Sequence, residues 1–135
     1  MKLADKIEII TRSYISDNRG FFVKIINGKE QGLPNYTGEI YVTLAKPENS
    51  RGGHYHNLAT EWFTIVIGNA DLHLKDIMSD EEIVIKLDSE NPVTIKVPPG
   101  IVHEFYNNYQ KDFILIAYTD YLFDPKDTIP YSPMK

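Results

Sequence analysis

The sequence predicts an all-β protein whose 135 residues form one domain, either a β-sandwich or a jelly-roll barrel that closes on itself. Short apolar runs recur at roughly 8- to 12-residue spacing, which is typical of such folds. Eight prolines and eight glycines separate these runs. No segment shows the 3.6-residue apolar periodicity of a helix of ordinary length. A closed jelly roll would also leave few strand edges exposed.

The first half of the chain divides into three predicted strands. Aromatic and β-branched residues mark the strands, and clusters of glycine, proline, asparagine and aspartate mark the turns between them. The predicted strands are residues 7–15, 21–26 and 39–45, with a turn at 17–20 and loops at 29–37 and 46–53.

The second half contains six predicted strands, and the first of them carries a carboxylate. Glu61 shares parity with Phe63, Ile65 and Ile67, so its side chain is expected to face an apolar interior. A carboxylate in that position needs a partner. The predicted strands are residues 61–67, 71–75, 82–87, 92–97, 102–106 and 112–119, with a turn at 78–81.

Composition excludes several classes of function. The net charge of −5 argues against a nucleic-acid surface, although two or three basic residues would suffice for a phosphorylated small molecule. The chain has no cysteine, which excludes disulfides, thiolate metal sites and a cysteine nucleophile. The N-terminal segment, residues 1–6, is too short and too charged for a signal peptide. No apolar run approaches the length needed to span a membrane. A cytoplasmic protein is therefore expected.

Three histidines and Glu61 form the candidate site. His54 and His56 are two residues apart, which on a strand places both side chains on one face. A turn over residues 57–60 would then lead into Glu61, and His103 follows the tight turn at 98–100. We expect these segments to meet, because three imidazoles and a carboxylate suit Zn²⁺, Fe²⁺, Mn²⁺ or Ni²⁺. The alternative is that each histidine is a hydrogen-bonded polar residue near a turn.

Two motifs frame these residues, His54-x-His56-x4-Glu61-x6-Gly68 and Pro98-x-Gly100-x2-His103-x3-Asn107. They match the two motifs of the cupin superfamily, so the chain resembles an RmlC-like cupin over about residues 52 to 107. The resemblance implies a double-stranded β-helix, the jelly-roll cupin barrel. It also implies that His54, His56, Glu61 and His103 bind a divalent metal, zinc before iron, manganese or nickel, and that no organic cofactor is used.

Further segments, Asp17-Asn18-Arg19-Gly20-Phe21-Phe22, Arg51-Gly52-x-His54-Tyr55 and Thr119-Asp120-Tyr121, resemble those of dTDP-4-dehydrorhamnose 3,5-epimerases. This resemblance implies that Arg19 reaches a nucleotide diphosphate from a neighbouring subunit, and hence that the N-terminal strand is shared across a homodimer. It implies that Arg51 contacts the same diphosphate and that His54 is the general base.

Segments of this chain also resemble two other enzyme families. Arg51-Gly52-x-His54-Tyr55-His56-x3-Thr60-Glu61 and the ending Phe123-Asp124-Pro125 resemble the C-terminal cupin domain of bifunctional capsular-polysaccharide reductase/epimerases. That domain binds a metal and epimerises a UDP-linked 4-keto-6-deoxy aminosugar, and this chain would be a version without the reductase. The sugar-nucleotide 3,4-ketoisomerases are also similar, but they place the glutamate one residue closer to the histidines and need no metal.

Two features depart from the 3,5-epimerase pattern. Those enzymes have a catalytic tyrosine where this chain has Ile116; Tyr118, two residues on, would be the substitute. The departure favours a single inversion at C3. A histidine that binds metal through its inward nitrogen also cannot be the base, so if His54 is a ligand then Tyr118, Tyr106 or a metal-bound water must move the proton.

The expected function is therefore an isomerase that epimerises a nucleotide-linked 4-keto-6-deoxysugar at C3 in the biosynthesis of surface-polysaccharide sugars. A 3,4-ketoisomerase is the first alternative. An iron-dependent cupin dioxygenase and a non-catalytic sugar-binding cupin are the others. Arg19 and Arg51 distinguish them, because a diphosphate substrate needs cations and a small apolar dioxygenase substrate does not.

Overall fold

The structure is a computed structural model that describes residues 1–18, 20–23, 25–34 and 38–131. Its described part is almost entirely β-structure, with a four-residue helix α1 near the N-terminus and a 3₁₀ helix near the C-terminus. The elements are α1 Leu3–Lys6, β1 Glu8–Thr11, β2 Tyr14–Asp17, β3 Gly20–Val23, β4 Glu39–Ala45, β5 Ser50–Tyr55, β6 Glu61–Ile67, β7 Asn69–Asp76, β8 Glu82–Asp88, β9 Val93–Val97, β10 Ile101–Tyr106, β11 Phe113–Thr119, the 3₁₀ helix Pro125–Asp127 and β12 Ile129–Pro130.

Two five-stranded antiparallel sheets form the body of the protein. One has the strand order β1-β9-β6-β11-β4, and the other has the order β12-β5-β10-β7-β8. Strands β2 and β3 form a separate hairpin. The chain passes repeatedly from one sheet to the other, as in a jelly roll. The predicted double-stranded β-helix is confirmed.

The core lies between the two sheets and follows the alternation of the strands. Along β7 every second residue is buried, and the opposite parity is partly exposed. Strands β6, β9, β10 and β11 contribute the aromatic and branched side chains that meet those of β7. These buried residues include Phe63, Ile65, Leu72, Leu74, Ile95, Val97, Ile101, Phe105, Phe113 and Leu115.

The predicted strands agree with the structure over most of the chain, with four corrections. The predicted strand 21–26 is β3, which ends at Val23. The segment 7–15 is two strands, β1 and β2, and the predicted loop 46–53 ends early because β5 begins at Ser50. Ile67 does not share the buried face of Glu61 but is 42% exposed. A β-bulge causes this: Ile65 and Ile67 pair with consecutive residues of β11, so Val66 is the extra residue and the alternation slips.

The described part of the chain contains no helix that is long and apolar enough to cross a membrane.

Replacement of Leu72 by alanine should cost about 2–5 kcal/mol of unfolding free energy, because Leu72 is fully buried and its removal leaves a cavity. Val84 on the neighbouring strand is 53% exposed, so Val84→Ala should cost less than about 1 kcal/mol. Urea unfolding of both variants measures this. Equal losses would show that the inner face of β7 is not the core.

Candidate active site

The pairing of β5 with β10 brings the predicted site together. His54 and His103 are direct partners in this ladder, and His56 follows at the end of β5. Glu61 enters from the first residue of β6, after the turn over residues 57–60. One potential ligand atom from each of these four side chains lies within 4.8 Å of the others. The two separate motifs therefore do meet at one point inside the barrel.

A β-bulge at the glycine pair sets the direction of the β5 side chains. Residues 52 and 54 pair with the consecutive residues 104 and 103, so Gly53 is the extra residue. Because of the bulge, Arg51 lies on the same face of the ladder as His54, although the two are three positions apart. Gly52 has φ +93°, and a Cβ there would lie 2.8 Å from the carbonyl oxygen of His103. Only glycine fits this position.

Backbone carbonyls fix the orientation of two imidazoles. His56 Nδ1 donates a hydrogen bond to the carbonyl of Asp127 at 2.8 Å, and His103 Nδ1 donates to the carbonyl of Ile101 at 3.1 Å. The Nε2 atoms of both rings are thereby directed inward, where they lie 2.8 Å and 3.3 Å from Oε1 of Glu61. This is the arrangement that second-sphere partners give to metal-binding histidines.

The three inward atoms have no hydrogen bond of normal geometry within the described part of the chain, although each is buried. When the imidazoles are neutral, two nitrogen lone pairs and one carboxylate oxygen are directed at one point and repel one another. A proton or a cation among them removes the repulsion. The residues therefore fit a divalent ion with nitrogen and oxygen ligands.

The charge state of Glu61 follows from its surroundings. Burial raises its pKa, but contact with His103 and His56 outweighs burial and holds the pKa of this carboxyl well below its usual range. Its second oxygen accepts a hydrogen bond from Tyr41 at 2.7 Å. Burial and the charge of Glu61 raise the pKa of the Tyr41 phenol, which keeps it protonated. Glu61 is thus an anion with one oxygen free to face a cation.

His54 differs from the other two histidines. It is only half-buried, and it lines an open cavity. Burial and the neighbouring His103 and His56 lower the pKa of His54 to about 4. For His56, burial also lowers the pKa, but contact with Glu61 outweighs it and the pKa is raised. His54 is therefore neutral at pH 7 and is free to accept a proton or a metal.

The cavity has a volume of about 320 Å³, near the lower end of the range for small-molecule sites. Part of one wall is the C-terminal segment, which runs from residue 121 to residue 128. No lysine or arginine is among the described residues that line it. The lining residues are Glu39, Tyr41, His54, His56, Ala59, Glu61, Thr119, Tyr121, Leu122, Phe123, Asp124, Asp127 and Thr128.

The structure does not bring Tyr118 to this cavity. Tyr118 lies on the face of β11 opposite to Ala117 and Thr119, where its ring packs at 5.7 Å from Trp62 and its hydroxyl accepts a hydrogen bond from the Gly38 amide. The prediction that Tyr118 replaces the missing tyrosine is therefore corrected. Tyr106 is also elsewhere, because its hydroxyl donates to Glu104.

Arg19 lies outside the described residues, so its predicted contact with a diphosphate stays a prediction. Arg51 is exposed on β5 and does not line the cavity.

Sequence reasoning missed two residues of the site, Tyr41 and Asp127. Tyr41 lies on β4, which is separated from the Glu61 strand β6 by β11. Nothing in its local sequence distinguishes it as a site residue. Its parity with the buried Ala45 was the only available signal, although Tyr41 itself is 38% exposed where it lines the cavity. Asp127 follows the Phe123-Asp124-Pro125 ending, which drew attention to the segment but not to this residue.

A family model described as polysaccharide biosynthesis C-terminal domain matches residues 15–131. The chain belongs to this family. Its matched region contains all the ligand candidates and the C-terminal segment that lines the cavity.

The chain is similar to two curated relatives and to one solved structure. The chain is 26% identical over 87% of its length to UDP-2-acetamido-2,6-beta-L-arabino-hexul-4-ose reductase of Pseudomonas aeruginosa strain PA103, but it spans only 30% of that protein. It is 24% identical over 82% of its length to the spore coat polysaccharide biosynthesis protein SpsL of Bacillus subtilis strain 168, of which it spans 76%.

The solved structure is a double mutant of ChmJ, a 3'-monoepimerase from Streptomyces bikiniensis, in complex with dTDP. It superposes with a TM-score of 0.84 at 15% identity, over 96% of this chain and 71% of that one. This likeness shows a shared fold.

Replacement of His54 by asparagine should reduce the loss of stability on acidification of the metal-free protein. The pKa of His54 falls from its ordinary 6.5 to about 4 on folding, so between these values the unfolded chain binds the proton and the folded protein does not. The stability that depends on neutral His54 is therefore complete above pH 6.5 and is lost as the pH falls towards 4.

Between about pH 7 and pH 5, wild type should lose on the order of 1 kcal/mol more unfolding free energy than His54→Asn. This figure allows for the partial exposure of His54. Urea unfolding at both pH values measures this difference. Identical losses in wild type and His54→Asn would contradict the assignment of a depressed pKa to His54.

Proposed function

We propose that this chain is an isomerase that epimerises a nucleotide-linked 4-keto-6-deoxysugar at C3, beside the ketone, for polysaccharide biosynthesis. The observation that carries the proposal is the position of His54. A neutral imidazole faces a cavity of a size suited to one sugar, next to a cluster that fits a cation and on the same strand face as Arg51. The name of the family and that of SpsL support a role in polysaccharide biosynthesis.

We propose that His56, Glu61 and His103 bind a divalent metal, with zinc the first expectation. Three protein ligands with an open fourth position are typical of catalytic zinc sites. The support is the convergence of three buried atoms that lack hydrogen bonds of normal geometry in the described structure. When bound, such an ion would act as a Lewis acid that polarises the ketone oxygen of the sugar.

In this proposal His54 takes the proton from C3. It is neutral at pH 7, lines the cavity and makes neither of the close contacts that His56 and His103 make with Glu61. Inversion also requires return of a proton to the other face of the sugar. Tyr41 lines the same cavity, and we assign the return of a proton to its hydroxyl. The phenolate then takes a proton from solvent and His54 releases its proton to solvent, which restores the starting state.

The cavity holds the sugar, and the nucleotide diphosphate lies outside it in this proposal. The described lining residues include carboxylates but no cation, which suits a sugar hydroxyl or amide better than a phosphate. Arg51, exposed on the face that carries His54, would pair with the diphosphate oxygens and so hold the sugar in position.

We also infer a homodimer in which Arg19 of one subunit reaches the diphosphate held by the other. The resemblance of residues 17–22 to the epimerase segment supports this inference. The outer face of the edge strand β4 supports it as well, because Ile40, Val42 and Leu44 are all exposed there, and an apolar strand face of this kind is typical of a surface that another subunit covers.

Incubation with a dTDP- or UDP-linked 4-keto-6-deoxysugar in D₂O should place deuterium at C3 of the sugar, as measured by NMR and mass spectrometry. His54→Asn should lower the rate of exchange by at least about 100-fold, because it removes the base while keeping the size of the side chain. Deuterium at C4 with a 3-keto product would indicate a ketoisomerase instead.

Arg51→Ala is the matched variant for substrate binding. It should raise the KM for the nucleotide sugar about 10-fold or more while the turnover rate falls less, since Arg51 contacts the diphosphate and not the reacting carbon. Absence of exchange with every such sugar would contradict the proposed function. Oxygen uptake with bound iron would then favour a dioxygenase, and tight binding without turnover would favour a sugar-binding protein.

A further inference from the structure

The geometry points to Asp127 as a positioning residue that ties the C-terminal segment to the loop at residues 57–59 and fixes the direction of His56 Nε2. Its side chain organises the loop, and its backbone carbonyl orients the imidazole. The inference concerns this chain's own hydrogen bonds, and it rests on the proposed function only where metal affinity is measured.

The carboxylate of Asp127 binds three consecutive backbone amides. Its Oδ1 accepts hydrogen bonds from the amides of Asn57 at 2.8 Å and Leu58 at 3.0 Å, and its Oδ2 accepts one from Ala59 at 3.2 Å. The residue is only 6% exposed, and the hydrogen bond from the Ala59 amide is itself buried, so that amide would lose a buried partner without it. A buried carboxylate that accepts several amide hydrogen bonds is a strong local constraint on the backbone.

The same residue fixes His56 from the other side. Its carbonyl oxygen accepts the Nδ1 hydrogen bond of His56 at 2.8 Å, which leaves Nε2 directed at Glu61. The imidazole and the loop that follows it are therefore held by one residue that is about 70 positions away along the chain. The position of the carbonyl depends on the position of the carboxylate, because a single backbone unit carries both.

The local sequence holds Asp127 in this position. Asp124 begins the 3₁₀ helix, accepts a hydrogen bond from the Lys126 amide at 2.9 Å through its side chain, and accepts the Asp127 amide at 2.9 Å through its carbonyl. Pro125 follows at the first helical position, where its fixed φ favours the turn.

The connection also extends to the cavity wall. The segment that Asp127 anchors includes Leu122 and Phe123, which line the cavity, and the Phe123 amide donates at 2.6 Å to Glu39 on β4, which also lines it. Formation of the wall and orientation of His56 are thus parts of one arrangement. Loss of the Asp127 carboxylate should weaken both.

The first measurement is the affinity for Co²⁺, followed by absorption spectroscopy. Asp127→Ala should weaken Co²⁺ binding on the order of 10- to 100-fold, the usual effect of removing a partner of a metal ligand. Asp127→Asn should have a smaller effect, because its side-chain oxygen can still accept from the first two amides. Asp71→Asn is the control: this carboxylate also holds a loop, through Tyr109 and Asn108, and should keep wild-type affinity.

The second measurement needs no metal. The His56 Nδ1 proton, observed by ¹H–¹⁵N NMR of the metal-free protein, should be protected from exchange in wild type and Asp71→Asn and lost in Asp127→Ala. Wild-type Co²⁺ affinity together with a protected Nδ1 proton in Asp127→Ala would overturn the inference. If Asp127→Ala does not fold, wild-type affinity and a fully protected Nδ1 proton in Asp127→Asn would overturn it.

The two proposals fail separately. If wild type binds no Co²⁺ but the Nδ1 proton depends on Asp127, the metal site of the proposed function is wrong and the positioning role of Asp127 stands. If Co²⁺ binds wild type and Asp127→Ala equally, the metal site stands and the positioning role is wrong.

Discussion

The convergence of two imidazole nitrogens and one carboxylate oxygen is the interaction on which the rest of this structure depends. His56 Nε2 and His103 Nε2 lie 2.8 Å and 3.3 Å from the same oxygen of Glu61. Such a cluster is unfavourable unless a proton or a cation lies within it, so the surroundings must hold it in place. Backbone carbonyls hold the outer nitrogens of the two rings, and Tyr41 holds the outer oxygen of the carboxylate.

The site is built partly from long paired strands and partly from a segment with little regular structure. The ladder between β5 and β10 carries His54 and His103, and the glycine bulge in β5 turns Arg51 to the same face. The C-terminal segment is held by side-chain and backbone hydrogen bonds rather than by a long strand, since β12 contains only two residues.

Much of this arrangement was predictable from the sequence, and the exceptions have physical causes. Alternation identified the strands and the inward direction of Glu61, and the spacing of the histidines identified their common site. Ile67 was misplaced because a bulge shifts parity without any local signal. Tyr118 was misplaced because the family pattern was applied without knowing which face of β11 meets the cavity. Tyr41 and Asp127 were missed because their roles arise from contacts between distant parts of the chain.

The central claim is that His56, Glu61 and His103 form a metal site beside a free His54. Elemental analysis of protein purified without a histidine tag tests it most directly. The account predicts about one divalent ion per chain in wild type and in His54→Asn, and loss of the ion in His103→Ala. A fully active wild-type protein without stoichiometric metal, or loss of the ion in His54→Asn, would contradict it.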